Sequence, residues 1–302
     1  MNDNYAALKA AAQSVGGEMR LDAGGNADLF AAFEPDGADK APAFGGKNSL
    51  LMGKYECCER LGGLYSLPLE KPKTGMTFEE AAERALAKGL GYHLMTLAEW
   101  ALLCERGSAK ADGRVDQTAG SATGSGTWRF AHNAKWSGVW DAAGNVREWI
   151  SGYRTVDGEI QIIPENGAAE AEPDELGAGS ALWRAISKTG EFVAPKTAGT
   201  LKWRYENGKT WLDVTTTSEN TDRVAKLEEI QIAGSVEQTA LNLLEKYGVM
   251  PGMSGVLGYN TSGERIAAGG ACYKDKSAGL RVLYGVYTRE SAPEEVGARV
   301  CY

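Results

Sequence analysis

Gly138-Val139-Trp140-Asp141-Ala142-Ala143-Gly144-Asn145-Val146-Arg147-Glu148-Trp149 is the stretch on which the fold turns. Gly144-Asn145 reads as a tight-turn pair, because both residues tolerate positive φ. Tryptophans crowd around it: Trp128, Trp136, Trp140 and Trp149. Large rings at element ends fill a fold with few long hydrophobic segments, so Trp100, Trp140 and Trp149 are expected in the core. Asp157-Gly158-Glu159-Ile160-Gln161-Ile162-Ile163 follows as a strand.

Outward from this stretch the chain alternates short helices, strands and loops. Thr77 with Glu80, and Thr96 with Glu99, are capping boxes that start helices. Gly89 stops the first of them. Leu51 to Cys57 and Gly63 to Leu67 read as strands, and Gly107 to Gly126 as a long surface loop. Leu201 to Tyr205, then Asn207-Gly208, then Thr210 to Val214 predict a hairpin with a type I′ turn. Ser235 with Gln238 predicts a third capping box, on a helix ended by Gly248. Leu257-Gly258-Tyr259, Arg265-Ile266-Ala267 and Val296 to Val300 are the strand candidates of the tail. Residues 1–46 are rich in Ala, Gly and Asp. Ala6 to Ala12 could start a helix there, and the segment either pairs with a neighbouring subunit or lies along the domain.

Composition narrows the function classes. The chain has 302 residues, enough for one large domain or one domain with a big insertion. Its net charge of -8 argues against nucleic acid as a partner, since phosphate binding needs clustered Lys and Arg. No run of about 18 apolar residues predicts membrane insertion. Met1-Asn2-Asp3-Asn4 opens without a basic or apolar region, which argues against a secretory signal peptide. Cys57, Cys58, Cys104, Cys272 and Cys301 form no C-x-x-C pair, so they read as reduced, mostly buried thiols rather than a zinc site.

Four elements, in order, resemble the formylglycine-generating-enzyme-like (sulfatase-modifying factor) family. His93 to Trp100 resembles its R-L-P-T-E-A-E-W element, and Gly138 to Trp149 its G-L-x-D-M-x-G-N-V-W-E-W element. Gly269-Gly270-Ala271 resembles R-G-G-S-W, and Val296 to Val300 the closing I-G-F-R. The resemblance implies an α+β chain with a C-type lectin fold: two helices, short twisted antiparallel sheets and long irregular loops. It divides the chain into an N-terminal segment, 1–46, and a C-type lectin-like domain, 47–302, with an insertion at about 151–252. A closer resemblance is to phage and prophage variable proteins of this fold that diversity-generating retroelements serve. It rests on segments such as Tyr65-Ser66-Leu67-Pro68 and Gly91 to Thr96. Their last stretch is a hypervariable ligand face, matching Gly269 to Tyr302 here.

The residues qualify what the resemblance implies. The family's oxidases use a cysteine pair and copper to oxidise a peptide cysteine. Here Cys272 follows Gly269-Gly270-Ala271 without a partner at the expected spacing, since position 277 is Ser. A branch that uses three histidines for iron is not matched by His93 and His132 alone. His93 is expected to pack beside Met95. Relatives bind calcium at the positions of Asp141, Gly144, Val146 and Glu148. Both carboxylates are present, and hard cations prefer oxygen. The competing reading has Asp141 capping the turn and Glu148 in an ion pair. The candidate ligand face is Tyr273, Lys274, Asp275, Lys276, Ser277, Tyr284, Tyr287, Thr288, Arg289 and Glu290, because Tyr offers large amphipathic contact at low entropy cost.

The expected function is therefore non-catalytic binding, by a phage or prophage protein, of a host-surface protein or glycan. The expected place is the virion tail or the cytoplasm of the producing cell. Contacts with other virion proteins and a homo-oligomer fit avidity. A formylglycine-generating-type oxidase and a purely structural virion protein are the alternatives.

Overall fold

The computed structural model describes residues 3–36, 42–113, 120–275 and 279–302. The chain is α+β, with sheet predominating. Its helices are α1 (Asp3–Ser14), α2 (Phe78–Leu86), α3 (Leu97–Glu105) and α4 (Gln238–Lys246). The strands of the first third are β1 (Glu18–Leu21), β2 (Ala27–Phe33), β3 (Leu50–Gly53), β4 (Cys57–Arg60), β5 (Gly63–Ser66) and β6 (His93–Leu94). The middle holds β7 (Arg147–Val156), β8 (Glu159–Ile162), β9 (Arg184–Ile186), β10 (Phe192–Val193), β11 (Lys202–Glu206), β12 (Lys209–Asp213), β13 (Arg223–Lys226) and β14 (Gln231–Ile232). The tail holds β15 (Val256–Tyr259), β16 (Glu264–Gly269), β17 (Val282–Tyr287), β18 (Val296–Gly297) and β19 (Val300–Cys301).

Two larger sheets share the work. One runs β1-β2-β3-β19-β6. The other runs β13-β15-β17-β16-β7-β8-β11-β12-β14, with β9, β10 and β18 attached to it. The first sheet answers the question left open for residues 1–46. Strand β2 of this segment lies along the domain, with Phe30 opposite Gly53 and Phe33 opposite Leu50. The strands of 151–252 do not stand apart either. β7 begins before the insertion and pairs with β8 inside it and with β16 beyond it. Trp203, Leu212 and Leu244 from the insertion share one buried cluster with Trp100, Leu257 and Leu283.

Local signals explain most of the elements. In α2, Glu80 N–H donates to Thr77 Oγ1 and Thr77 N–H to Glu80 Oε2, closing the box that the spacing predicts. Thr96 and Glu99 close the same box on α3. Asn207 and Gly208 have φ of 52° and 78°, the conformation a type I′ turn needs between β11 and β12. The third box does not form. α4 starts after Glu237, whose N–H donates to Lys188 O, and Thr239 Oγ1 donates to Thr189 O. Contacts with a distant loop set that boundary instead of Ser235. The strand read over Leu51 to Cys57 also breaks at Gly53, and Glu56 turns inward to the Asn145 turn. No helix among the described residues is long and apolar enough to cross a membrane.

Candidate functional site

The site grows from the turn that opens the sequence reading. Asp141, Gly144 and Asn145 have φ of 57°, 83° and 62°. These left-handed residues fold the chain back and deliver Arg147 to Trp149 into β7. Trp140 and Trp149 are buried, as is Trp100. Asn145 ties the turn down: its Nδ2 donates to Ser121 O at 3.1 Å and to Glu56, and its Oδ1 accepts from Ser121 N–H at 2.6 Å.

Below the turn lies a buried charge cluster. Glu148 forms a two-pronged pair with Arg299, through Nε at 2.9 Å and through Nη2. Arg299 is fully buried, and its remaining donors reach Gly53 O at 2.7 Å and Trp140 O at 2.8 Å. Asp141 Oδ2 accepts from Thr123 Oγ1 and Gly124 N–H, both at 2.9 Å. Glu56 Oε1 accepts from Val146 N–H at 3.2 Å. Burial pushes the Glu56 carboxyl well above its usual range, and the neighbouring Asp141 and Glu148 carboxylates push it further.

This arrangement does not fit calcium at Asp141, Gly144, Val146 and Glu148. A cation there needs Glu148, yet both Glu148 oxygens are held by a guanidinium. The positive charge that calcium would bring is already supplied by Arg299.

The closest gathering of metal-ligand types among the described residues is His93, Glu99 and Cys301, within 4.8 Å of one another and buried. His93 does not simply pack beside Met95. Its Nδ1 faces Gly91 O at 2.9 Å and its Nε2 faces Glu99 Oε1 at 2.8 Å. Two acceptors call for a doubly protonated ring. Burial alone would lower its pKa, but the Glu99 carboxylate outweighs burial and raises it above 6.5. Burial would likewise raise Glu99, but the His93 charge holds it below 4.5. The His93 contribution to stability is therefore complete below about pH 6.5 and is lost as pH rises through the raised folded value. The Glu99 contribution is complete above about pH 4.5 and is lost as pH falls through the lowered folded value. Hence the stability gap between the parent chain and His93→Gln should shrink as pH rises from about 6 to 9, measured by urea unfolding. A gap that stays constant over this range would remove the ion pair from the account.

The ten candidate ligand residues separate into groups. Asp275 and Tyr284 converge on Arg147, with Tyr273 and Lys274 beside them. Arg147 Nη2 contacts Asp275 at 2.9 Å and 3.1 Å, and its guanidinium lies 4.2 Å from the Tyr284 ring centre. Gly258 makes room for that ring: a Cβ there would lie 2.3 Å from Tyr284 Cδ2. Tyr273 N–H donates to Asn145 O, and Lys274 pairs with Glu295 at 3.0 Å. Tyr287 is buried beneath, its ring edge-on to Trp149 at 5.2 Å. Thr288, Arg289 and Glu290 follow directly after the end of β17. Arg289 is bound there to Glu264, Glu79 and Leu176 O, so it braces the scaffold rather than the face. Lys276 and Ser277 lie outside the described residues.

Sequence reasoning missed Arg147 as a site residue. The signal was present: Arg147 stands where the resembling element has Trp. Cys272, the residue the oxidase reading needs, is buried, and its Sγ accepts from Arg147 Nη1 at 3.0 Å. Burial raises its thiol pKa above the ordinary value. Its described polar neighbours are thus Arg147 and Asp275, and it is a free thiol. No protein-family model matches the chain, and no curated protein matches it.

Proposed function

We propose that this chain is a non-catalytic ligand-binding protein of phage or prophage type, built on a C-type lectin fold. In this reading it grips a host-surface protein or glycan through a face centred on Arg147. Tyr273, Lys274, Asp275 and Tyr284 surround that centre. The observation that carries the reading is the Arg147 guanidinium held 4.2 Å from the Tyr284 ring centre and paired with Asp275, with Tyr273 and Lys274 beside it. A Tyr and an Arg held rigidly together also match the residue types that dominate binding energy in protein interfaces.

The test is binding of labelled chain to intact host cells. Saturable binding is expected, and Tyr284→Ala and Lys274→Ala should each weaken it by about tenfold or more while leaving the urea midpoint nearly unchanged. Absence of saturable binding, or variants that bind as the parent does, would overturn the reading. Impaired particle assembly without host binding would favour a structural virion role instead.

A further inference from the structure

The second sheet coils until its two ends meet. β13 stands at one end of it and β14 at the other, and only residues 227–230 join them. Side chains cross between the ends. The Arg223 guanidinium of β13 lies 3.4 Å from the ring centre of Tyr205 on β11, and the hydroxyls of Thr210 on β12 and Tyr259 on β15 are 2.9 Å apart. Beside these contacts lies a cavity of about 500 Å³, bordered by Tyr205, Lys209, Thr210, Val224, Ala225 and Gln231. We propose that this seam binds an extended, uncharged peptide segment of a partner protein, which enters as an additional strand between β12 and β13.

The register of the strands shows which backbone groups face the seam. Among the described residues β13 pairs with β15 alone, Arg223 opposite Tyr259 and Ala225 opposite Leu257. At the end of the same ladder Leu227 N–H donates to Gly255 O at 2.9 Å. By the alternation of an antiparallel pair, Ala225 and Arg223 are then the residues that exchange bonds with β15. Val224 and Lys226 turn their N–H and C=O groups the other way, towards the seam. On β12 the two-residue turn makes Glu206 and Lys209 the first bonded pair with β11, so Thr210 faces away from β11. The ladder between β12 and β14 begins only at Trp211, opposite Gln231. Val224 N–H and Thr210 N–H accordingly have no partner among the described residues.

Open strand edges are met in kind by a peptide main chain. β12 and β13 offer two such edges to one strand, and neither carries a proline that would block it. The charges along the cavity cancel, Lys209 and Arg223 against Asp222 and Glu229, so a strongly charged ligand gains little there. Arg223 is already held by Glu219 and by the Tyr205 ring, and Glu229 by Lys226. The main chain, rather than these side chains, is therefore what the seam presents. The Arg223 guanidinium also covers one face of Tyr205, which removes a platform on which a sugar would stack. Ala225 packs against the core from inside the sheet, while Val224 stands outside it, 61% exposed. These walls favour small apolar side chains on both faces of the incoming strand.

The probe is the peptide acetyl-Thr-Val-Thr-Val-Thr-amide, added to the full chain and followed by amide hydrogen exchange. It should bind saturably and slow exchange at Val224 and Thr210 by about tenfold or more. The same peptide N-methylated at both valines keeps its side chains but loses donors, and should bind at least about tenfold more weakly. Val224→Pro removes the N–H that faces the seam and leaves the bonds of Arg223 and Ala225 to β15. It should fold and lose peptide affinity by about tenfold or more. Val224→Thr keeps that N–H and should bind as the parent does. No saturable binding, equal affinity for the N-methylated peptide, or unchanged affinity in folded Val224→Pro would each overturn the proposal. Stronger protection of the two amides by maltohexaose than by the peptide would overturn it in favour of a sugar.

Discussion

Arg299→Ala is expected to destabilise the chain by about 3–5 kcal/mol, the cost of breaking a buried ion pair from one side. Arg299 is fully buried and serves Glu148, Gly53 O and Trp140 O together. Removing it leaves Glu148 as an uncompensated buried charge next to Asp141 and Glu56, with two carbonyls unpaired. Arg299→Lys should recover only part of the loss, because one ammonium cannot reproduce the fork on Glu148 and also reach both carbonyls. Glu56→Gln should cost less, about 1–2 kcal/mol: Glu56 already titrates well above its usual range, so a neutral side chain changes the charge balance little. The double variant Glu148→Leu with Arg299→Met should be more stable than Arg299→Ala alone, since it removes both charges together. Urea unfolding at pH 7 measures all four. An Arg299→Ala chain within about 1 kcal/mol of the parent would mean that the cluster is hydrated and the pair not truly buried.

The same cluster shows how far the sequence could be read. Thr77 and Thr96 were legible as helix starts because a capping box involves only four neighbouring residues. Asn207-Gly208 was legible because two positive φ values leave few choices. Ser235 misled because α4 is placed by Lys188 and Thr189, which local pattern does not see. β1 and β2 were not visible in residues 1–46. β1 is a short Glu-Met-Arg-Leu and β2 carries three Ala and an Asp, so neither has strong β-propensity; the pairing of β1 with β2, and of β2 with β3, is what makes them strands. In the site, the residue types at Asp141 and Glu148 fitted a cation. They carried no sign that Arg299, 151 positions beyond Glu148, would supply the charge instead. Glu56 joins them from the other side of the chain, also unannounced. The proposed ligand face could be read from the sequence only as a list of polar and aromatic residues. Its centre was not, because Arg147 had been read only as part of a turn motif, and strand pairing brings Tyr284 and Asp275 to it.

Trp149→Ala is expected to cost about 3–5 kcal/mol, as for other buried tryptophans cut to alanine. Trp149 is completely buried on β7. Its ring meets Phe78 of α2 edge-on at 6.2 Å and Tyr287 of β17 edge-on at 5.2 Å. Its Nε1–H donates to Met76 O at 3.0 Å. Truncation would leave a cavity between a helix and the sheet, and a buried carbonyl without its donor. Trp149→Phe separates the two effects. It keeps most of the apolar contact but leaves Met76 O unpaired, which should cost about 1–3 kcal/mol. The consequence reaches the proposed binding face because Arg147 and Trp149 are two residues apart on one strand and share a side. Trp149 seats Tyr287, whose ring lies 5.7 Å from that of Tyr284, the residue stacked on Arg147. Trp149→Phe should therefore weaken host-cell binding even where the chain remains folded, by loosening the floor under Tyr284. Folded Trp149→Phe protein that binds as the parent does would uncouple the face from this support. A Trp149→Ala chain with an unshifted urea midpoint would remove Trp149 from the core.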